Sequence, residues 1–336
     1  MEIVQVVWNI QRILRRFSFF RSINLPIRST RKVNLKNVTD LLVINSSSEL
    51  VPFTNYKELP DNRVRRVIEI RGSITNPKTG VIWSHRKLLD ESTVWSSDQL
   101  FRYEPIPILP KSISEPITLL PDNGYFHFLI EDLPRYLEVL DYVSNAKTLI
   151  SRESKKYIFD VLKILSVTPR IENVPVKSET LYFSEKNKGG IFTTSDLEKL
   201  RSFGYNSIEN HKKETRRIFV LRTDNLKDSK GISRGLIHQE EIIFELSRTG
   251  FEILDCAKLG LAEQIEVFSS ATVIAGFHGA GLANQVWLPE GSKVIEFVGS
   301  RRTAHFSHLA SVCKHSYYEI ELKSSWRKKL QDSTKI

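Results

Sequence analysis

Three ionisable residues recur at every fourth position within residues 121–140: His127, Glu131 and Arg135, with Asp132 directly after the glutamate. On a helix this spacing places an imidazole, a carboxylate and a guanidinium along one face. A histidine that a carboxylate orients is a suitable general base, because the ordinary pKa of an imidazole lies close to neutral pH. His127, Glu131 and Asp132 are therefore the predicted catalytic residues. An exposed ladder of charged side chains has the same spacing and is the alternative.

A helix must position these residues, and the sequence marks both its start and an interruption. Asp122 or Asn123 is expected to cap a helix that begins near Tyr125, and apolar residues follow at helical spacing. Pro134 lies within this pattern. Because proline removes a backbone hydrogen bond, we expect a kink or a break near Leu133, close to the carboxylates.

A second stretch, residues 272–297, combines two short apolar runs with a cluster of glycines between them. It predicts a strand, a glycine-rich turn, a short helix and a second strand. A glycine turn that leads into a helix presents free N–H groups and the positive end of the helix dipole, which suits a phosphate. The residues predicted to contact a phosphorylated ligand lie in the turn and the helix: His278, Gly279, Ala280, Gly281, Leu282 and Asn284.

The spacing of these glycines excludes two common nucleotide motifs. Gly276, Gly279 and Gly281 match neither G-x-G-x-x-G nor a Walker loop, in which Gly-Lys-Ser/Thr follows. The cluster alone is also compatible with a tight turn that binds nothing. His278 is likewise compatible with a structural histidine whose ring bonds to the nearby backbone.

Strand-like runs alternate with helical patterns over most of the C-terminal half. This alternation predicts a doubly wound, mostly parallel sheet, in which ligands bind at the carboxyl ends of strands. Arg222 follows the expected strand 217–221 and is predicted to hold a diphosphate, with Arg234 closing on it. Glu296, at the end of a later strand, is predicted to bind ribose hydroxyls. For either arginine the alternative is an exposed surface cation.

Composition sets the broad class of the protein. The chain has 336 residues, 40% of them hydrophobic and 26% charged, as in a globular domain in water. Its net charge of +10 favours anionic partners: a nucleotide diphosphate, an acidic glycan or an anionic membrane. No recognition-helix or zinc-finger spacing indicates nucleic acid. Cys256 and Cys313 lack a C-x-x-C arrangement, and we interpret them as reduced residues of a cytoplasmic protein.

The N-terminal segment, residues 1–34, has the pattern of a basic amphipathic helix. Apolar residues from Ile3 to Phe17 recur at helical spacing, while Glu2 is the one acidic residue among residues 1–36, against eight arginines and lysines. This pattern is typical of a helix that lies on an anionic membrane, so residues 1–33 are predicted to make peripheral membrane contact. A helix packed on its own domain or on a partner is the alternative. No apolar stretch is long enough to span a bilayer.

Taken together, these motifs resemble glycosyltransferase family 61. The resemblance is carried by Arg217-Ile-Phe-Val-Leu-Arg222, by Phe-His-Gly-Ala-Gly-Leu at 277–282 with its flanking strands, and by Leu-Pro-Glu-Gly-Ser at 288–292. Tyr-Phe-His-Phe-Leu-Ile-Glu-Asp-Leu-Pro-Arg at 125–135 is similar to the motif of the family's N-terminal domain. The family includes bacterial capsular-polysaccharide enzymes, plant xylosyltransferases and animal O-linked N-acetylglucosamine transferases. Phe277 stands where the family often has proline, which bears on the conformation of the loop.

The resemblance implies an α/β protein of GT-B-like fold, with two Rossmann-like domains that face a cleft. It also implies a nucleotide-sugar donor, typically UDP-linked, a glycan or polysaccharide acceptor, and inversion at the anomeric carbon without a metal or another cofactor. The chain has no Asp-x-Asp, the usual holder of a donor-bound metal ion. His127, oriented by Glu131 or Asp132, is expected to be the base or to position the acceptor, and Asp132 itself is the alternative base.

The expected organisation has four parts: the N-terminal segment 1–34, an acceptor-side domain 35–205, a nucleotide-sugar domain 206–300, and a segment 301–336 that completes the second domain or crosses back from it. The expected location is cytoplasmic, with or without peripheral attachment to the inner face of the membrane. Two other functions remain open: a non-catalytic module that binds a nucleotide or glycan, and another nucleotide-dependent enzyme on a Rossmann-like fold.

Overall fold

The computed structural model describes eleven ranges of the chain: residues 3–16, 32–33, 41–44, 50–52, 67–84, 87–89, 106–185, 192–208, 215–222, 239–299 and 303–322. The contacts between Cα atoms divide the chain into two compact units, Met1–Ile191 and Phe192–Ile336. Both units combine helices with sheets, which confirms the α/β class. The four expected segments and the two-domain GT-B arrangement stay predictions.

The described helices of the first unit are α1 (Ile3–Arg16), α2 (Tyr125–His127), α3 (Leu133–Tyr142) and α4 (Lys156–Ile164). A π-helical turn, Phe128–Asp132, joins α2 directly to α3. The expected helix start near Tyr125 is confirmed, but the expected cap is wrong: the residue in the cap position is Gly124, which has no side chain to bond the first N–H groups. None of the described helices has the length and apolar character needed to cross a membrane.

The described strands of the first unit run from β1 to β13: Lys32–Val33, Leu41–Ile44, Leu50–Pro52, Val67–Arg71, Ile74–Thr75, Ile82–Ser84, Lys87–Leu89, Lys111–Ile113, Ile117–Leu119, Lys147–Ser151, Arg170–Glu172, Val176–Ser178 and Thr180–Ser184. Among the described residues they form two sheets, ordered β11-β10-β9-β13-β4-β2-β3 and β1-β7-β6-β5-β12-β8. Apolar residues of both sheets share one buried cluster, which includes Ile68, Ile82, Ile117, Val176 and Leu181.

Both sheets of the first unit are mixed, unlike the parallel sheet expected of a Rossmann-like domain. Strands β9, β10, β11 and β13 are parallel neighbours, whereas β2, β3 and β4 pair antiparallel. The connections between β4, β5, β6 and β7 are only a few residues long. Connections of that length cannot make the crossover that a parallel pair requires, so β5, β6 and β7 pair antiparallel.

The second unit has one sheet of five parallel strands within the described residues: β14 (Arg216–Val220), β15 (Phe251–Leu254), β16 (Ala271–Phe277), β17 (Lys293–Val298) and β18 (Ser316–Glu321). Their order is β15-β14-β16-β17-β18. The chain therefore leaves the first strand toward one edge and returns past it toward the other. This is the doubly wound arrangement that the alternation predicted, and its topological switch point lies between β14 and β16.

The described helices of the second unit are α5 (Thr194–Asn206), α6 (Gln239–Ser247), α7 (Leu261–Ser269) and α8 (His305–Val312), with short 3₁₀ helices at Cys256–Lys258 and Ala280–Trp287. Helices α5, α7 and α8 all contact the 3₁₀ helix Ala280–Trp287. The guanidinium of Arg201 on α5 donates to the carbonyl oxygens of Val286 and Leu288, at 3.3 and 2.9 Å. These helices therefore hold the segment that follows the glycine turn.

Candidate functional site

In the first unit His127 and Glu131 form a direct pair, which we call the helix pair. The Nδ1 of His127 lies 2.8 Å from Oε1 of Glu131, and the two side chains are 17% and 14% exposed. A carboxylate accepts a hydrogen bond, so Nδ1 carries the ring proton of a neutral His127 and the lone pair is on Nε2. The ring of Phe126 contacts the imidazole edge to face at 5.3 Å. Of the two carboxylates that the sequence offered, Glu131 is thus the one that contacts the His127 ring, and the catalytic role of the pair stays a prediction.

The helix pair lies at the π-helical turn. The N–H of Leu133 donates to the carbonyl of Phe128, five residues back. Pro134 follows directly within the continuous helix, where its missing N–H removes one backbone hydrogen bond to the preceding turn. The break expected near Leu133 is therefore a π-helical turn, which adds one residue to the turn that carries Glu131. Such turns are frequent at functional sites.

Asp132 is buried, unlike its neighbour Glu131. It is 3% exposed, and its Oδ2 accepts a hydrogen bond of 2.9 Å from the amide of Asn123. Burial raises the pKa of Asp132 to about 7, although the charge of Arg135 and the Asn123 hydrogen bond act in the opposite direction. Asp132 thus holds Asn123, just before the helix, and its carboxyl titrates near neutral pH. Among the three predicted catalytic residues, His127 and Glu131 are the more exposed.

Arg135 does not belong to an exposed charge ladder, so that alternative is wrong. It is 8% exposed, and its Nε and Nη2 donate to the carbonyl of Ser184 at 2.9 and 2.7 Å. Arg135, Ser184, Asp132 and Thr118 line a cavity of about 20 Å³. The Oδ1 of Asp132 and the hydroxyl of Thr118 have no hydrogen-bond partner among the described residues. A cavity of this size that exposes two such polar atoms accommodates one water molecule.

In the second unit the glycine-rich stretch folds as a strand, a turn and a 3₁₀ helix. Strand β16 continues through Gly276 and Phe277, so the turn itself is His278 and Gly279. Phe277 is 3% exposed and its ring contacts those of Phe219 and Phe297, which explains an aromatic residue at this position. The turn lies at the carboxyl end of β16, beside the switch point of the sheet.

His278 and Glu296 form a second pair, which we call the sheet pair. The Nδ1 of His278 lies 2.5 Å from Oε1 of Glu296. The Glu296 side chain is 1% exposed, and its Oε2 accepts a hydrogen bond of 2.5 Å from the hydroxyl of Tyr317 on β18. Both carboxylate oxygens are therefore engaged inside the protein. This placement favours an orienting role for Glu296 over the predicted contact with ribose hydroxyls.

Arg222 lies where the carboxyl ends of β14 and β16 meet. Its guanidinium donates a hydrogen bond to the carbonyl oxygen of His278. A Cβ on Gly279 would lie 3.2 Å from the same guanidinium, so glycine lets the turn and the arginine approach closely. A cation, an imidazole and a half-buried glycine turn are therefore close together at the switch point. Arg234, the other predicted phosphate-binding cation, lies outside the described residues.

The other residues that were predicted to contact a phosphorylated ligand differ in their exposure to solvent. Ala280 is exposed and Gly281 is half-buried, whereas Leu282 and Asn284 are buried. The amide of Asn284 donates to Oε1 of Gln264 at 3.0 Å and to the carbonyl of Gly281 at 3.2 Å. Asn284 and Leu282 thus hold the turn from inside, and the face open to a ligand comprises His278, Gly279, Ala280 and Gly281.

Sequence reasoning missed Tyr317 and the hydrogen bond of Asn123. Tyr317 lies in β18, in a segment without a motif, and its contact with Glu296 depends on the pairing of β17 with β18. A partly apolar run at 316–322 was the one signal of a strand there. Within the described residues, no group of three histidine, cysteine or carboxylate side chains is arranged to hold a metal ion. Metal independence stays a prediction.

The family model for glycosyltransferase 61 matches residues 125–295, about half of the chain. The match includes both histidine–glutamate motifs apart from the final residue, Glu296. A comparison with curated proteins gave no match. The chain belongs to glycosyltransferase family 61, and its membership indicates glycosyltransferase activity in general, with a sugar donor and an acceptor as substrates.

Proposed function

We propose that the protein transfers a sugar from a nucleotide sugar, typically UDP-linked, to a hydroxyl of a glycan or surface polysaccharide, with inversion and without a metal. The observation that carries this proposal is the cluster of Arg222, His278 and Gly279 at the switch point of a parallel sheet. Ligands of doubly wound sheets bind at such points, and a diphosphate needs a cation and accessible N–H groups there.

In the proposed reaction His127 is the general base. Its Nε2 removes the proton of the acceptor hydroxyl, the acceptor oxygen forms a bond to the anomeric carbon, and the bond from that carbon to the diphosphate oxygen breaks. The electron pair of that bond leaves with the nucleotide diphosphate. Glu131 supports the base because its carboxylate stabilises the imidazolium that forms. Asp132, at 3% exposure, has no comparable access to an acceptor.

The departing diphosphate gains negative charge as the bond breaks. In an enzyme that uses no metal, protein cations must stabilise that charge. Arg222 is the described cation at the switch point, and Arg234 is the second proposed one. The carbonyl of His278 holds the Arg222 guanidinium, so this charge is already in place before the reaction.

Thermal unfolding of the full chain tests the proposal. The protein is heated with UDP-, GDP-, CMP- and ADP-sugars and with NAD(H), each with and without EDTA. A ligand at about 100 times its Kd adds roughly 2.7 kcal/mol to the free energy of unfolding, which is a clear shift in Tm. We expect a shift with one nucleotide sugar that EDTA does not change. No shift with any nucleotide sugar, or a shift with NAD(H) alone, would refute the proposed donor; a donor-dependent shift without turnover on any glycan would indicate a binding module instead.

We also propose that the protein attaches peripherally to the inner face of an anionic membrane through α1. Ile3, Val6 and Ile10, which share one face of this helix, are 75%, 37% and 49% exposed, whereas Trp8 is 4% exposed. An exposed apolar face beside a strongly basic sequence suits a surface of anionic lipids.

A matched pair of variants tests the membrane contact. Ile10→Glu and Asn9→Glu add the same charge at adjacent positions, but only the first lies on the exposed apolar face. Co-sedimentation with vesicles of phosphatidylglycerol and phosphatidylcholine should fall for Ile10→Glu well below the value for Asn9→Glu. Equal binding of the two variants would show that this face does not enter the bilayer. A wild-type chain that does not co-sediment with anionic vesicles would refute the attachment altogether.

A further inference from the structure

The sheet pair extends into a chain of three side chains from three adjacent parallel strands. His278 follows β16, Glu296 lies on β17 and Tyr317 lies on β18. The hydroxyl of Tyr317 donates to one oxygen of Glu296, and the other oxygen accepts from Nδ1 of His278, each at 2.5 Å. A buried carboxylate is costly unless both of its oxygens are hydrogen-bonded. Tyr317 and His278 together satisfy Glu296.

The protonation of Tyr317 fits this role. Burial raises the pKa of its phenol above the usual value, and the hydrogen bond to Glu296 and the charges of Glu296 and Glu319 act in the same direction. The phenol therefore keeps its proton and acts as a donor to the carboxylate. The ring of Phe306 on α8 contacts the imidazole of His278 edge to face at 5.3 Å and restricts its orientation. The imidazole is thus held by a carboxylate on one side and by an aromatic ring on another.

We propose that Tyr317 is a positioning residue that acts through Glu296 on His278, so that Nε2 of His278 hydrogen-bonds a diphosphate oxygen of the sugar donor. The inference rests on the proposed function, which it deepens by assigning the nitrogen that meets the donor. Because Nδ1 is engaged by Glu296, Nε2 is the ring nitrogen with which a ligand can bond. Since Nδ1 already donates its proton to Glu296, Nε2 can donate only when the ring carries a proton on both nitrogens. In the proposed arrangement Glu296 is the counter-ion of this imidazolium, which donates a hydrogen bond from Nε2 to the diphosphate. That bond strengthens as the anomeric C–O bond breaks and its electron pair moves onto the diphosphate.

The chain provides a matched control for Tyr317. Tyr318 is the next residue on β18, and it pairs with Ile295 and packs in the apolar cluster on the opposite face of the sheet. Tyr317→Phe and Tyr318→Phe each remove one phenolic oxygen from the same strand. Only the first removes a hydrogen bond to Glu296.

The first readout is the imidazole resonance of His278 in the isotope-labelled full chain, assigned as the signal that His278→Gln abolishes. We expect a deshielded Nδ1 proton in the wild type, because a carboxylate accepts it in a short hydrogen bond. Tyr317→Phe should shift this resonance and Tyr318→Phe should leave it in place. This readout needs no ligand. A resonance that both variants shift equally, or that neither shifts, overturns the positioning role.

The second readout is the affinity for a nucleotide diphosphate, measured by calorimetry on the same three proteins. Tyr317→Phe should weaken binding about fivefold, the change expected from one hydrogen bond, and Tyr318→Phe should not. Equal affinities in the two variants would contradict the path through Glu296 to the donor. Failure of the positioning role and failure of the proposed function give different results. A wild-type chain that shows the deshielded proton but binds no nucleotide refutes the proposed function itself.

Discussion

Each unit of this glycosyltransferase contains a histidine whose Nδ1 is held by a glutamate, but the two pairs are built differently. The helix pair, His127 and Glu131, comes from one helical face, and both side chains are partly exposed. The sheet pair, His278 and Glu296, joins residues 18 apart on neighbouring strands. Its glutamate is 1% exposed and has a second donor in Tyr317. The same two residue types are thus placed in two different environments.

The two imidazoles are similarly exposed, 17% for His127 and 21% for His278, so the difference between the pairs lies in their glutamates, at 14% and 1%. A glutamate that is itself partly exposed leaves its histidine able to exchange a proton with solvent after each turnover, which a general base requires. A histidine fixed by a buried, fully bonded carboxylate is instead suited to present one hydrogen bond in a constant direction. This difference supports the proposed division, in which the helix pair transfers the proton and the sheet pair binds the donor.

Removing the base of the helix pair should have the largest effect. His127→Gln keeps a polar side chain but cannot accept and release the acceptor proton, so the transfer rate should fall about a thousandfold. The rate is measured with saturating nucleotide sugar and acceptor. Glu131→Gln, which keeps the imidazole, is the matched variant and should cost less. A His127→Gln enzyme with nearly full activity would exclude His127 as the base.

The buried carboxyl beside the helix pair should make stability depend on pH. The pKa of Asp132 in the folded chain is about 7, above its usual value of 3.8, so the folded state holds this proton more tightly than the unfolded state. The contribution of this group to stability is therefore full at acidic pH and is lost as pH rises from about 4 to 7. Asp132→Asn should match the wild type near pH 4 and exceed its free energy of unfolding near pH 8 by as much as about 4 kcal/mol.

Denaturant unfolding at a series of pH values measures this effect. Asp141→Asn is the control, because it removes the same charge from an exposed position on the same helix. A difference between wild type and Asp132→Asn that does not change with pH would show that Asp132 does not titrate near neutral pH.

The segment that begins at His278 should tolerate a methyl group at Gly279 but not at Gly281. A Cβ on Gly281 would lie 2.6 Å from Cγ1 of Val220, so Gly281→Ala should cost about 1–3 kcal/mol of stability. A Cβ on Gly279 meets the movable guanidinium of Arg222 instead, so Gly279→Ala should stay folded while its nucleotide affinity falls. Adding Val220→Ala to Gly281→Ala should restore part of the loss. Equal stability of the two alanine variants would contradict the close approach to β14.

The helix pair was predictable and the sheet pair was not, for a physical reason. Residues four apart on a helix are neighbours whatever the rest of the chain does, so the contact of His127 with Glu131 follows from local spacing. The contact of His278 with Glu296, and that of Glu296 with Tyr317, depends on which strands pair and in which register. Sequence spacing contains no such information, and Glu296 was accordingly predicted to meet a ligand.

The same distinction holds for the two folds. The parallel sheet of the second unit was predictable from the regular alternation of strands and helices. Few sheet topologies are compatible with a chain in which a helix follows each strand. The mixed sheets of the first unit contain strands of two or three residues, such as β1, β5 and β6, which are too short to show a periodicity. The π-helical turn was likewise beyond prediction, because Pro134 indicated an interruption but not its form.

The measurement that tests the assignment of the two pairs most directly is the affinity for UDP of the wild type, His278→Gln and His127→Gln, by calorimetry in EDTA. We expect His278→Gln to weaken binding about tenfold or more, the loss of one hydrogen bond to a charged group. His127→Gln should bind UDP as the wild type does, since its imidazole acts on the acceptor. Equal weakening in both variants, or weakening in His127→Gln alone, would contradict the division of donor binding and proton transfer between the two pairs.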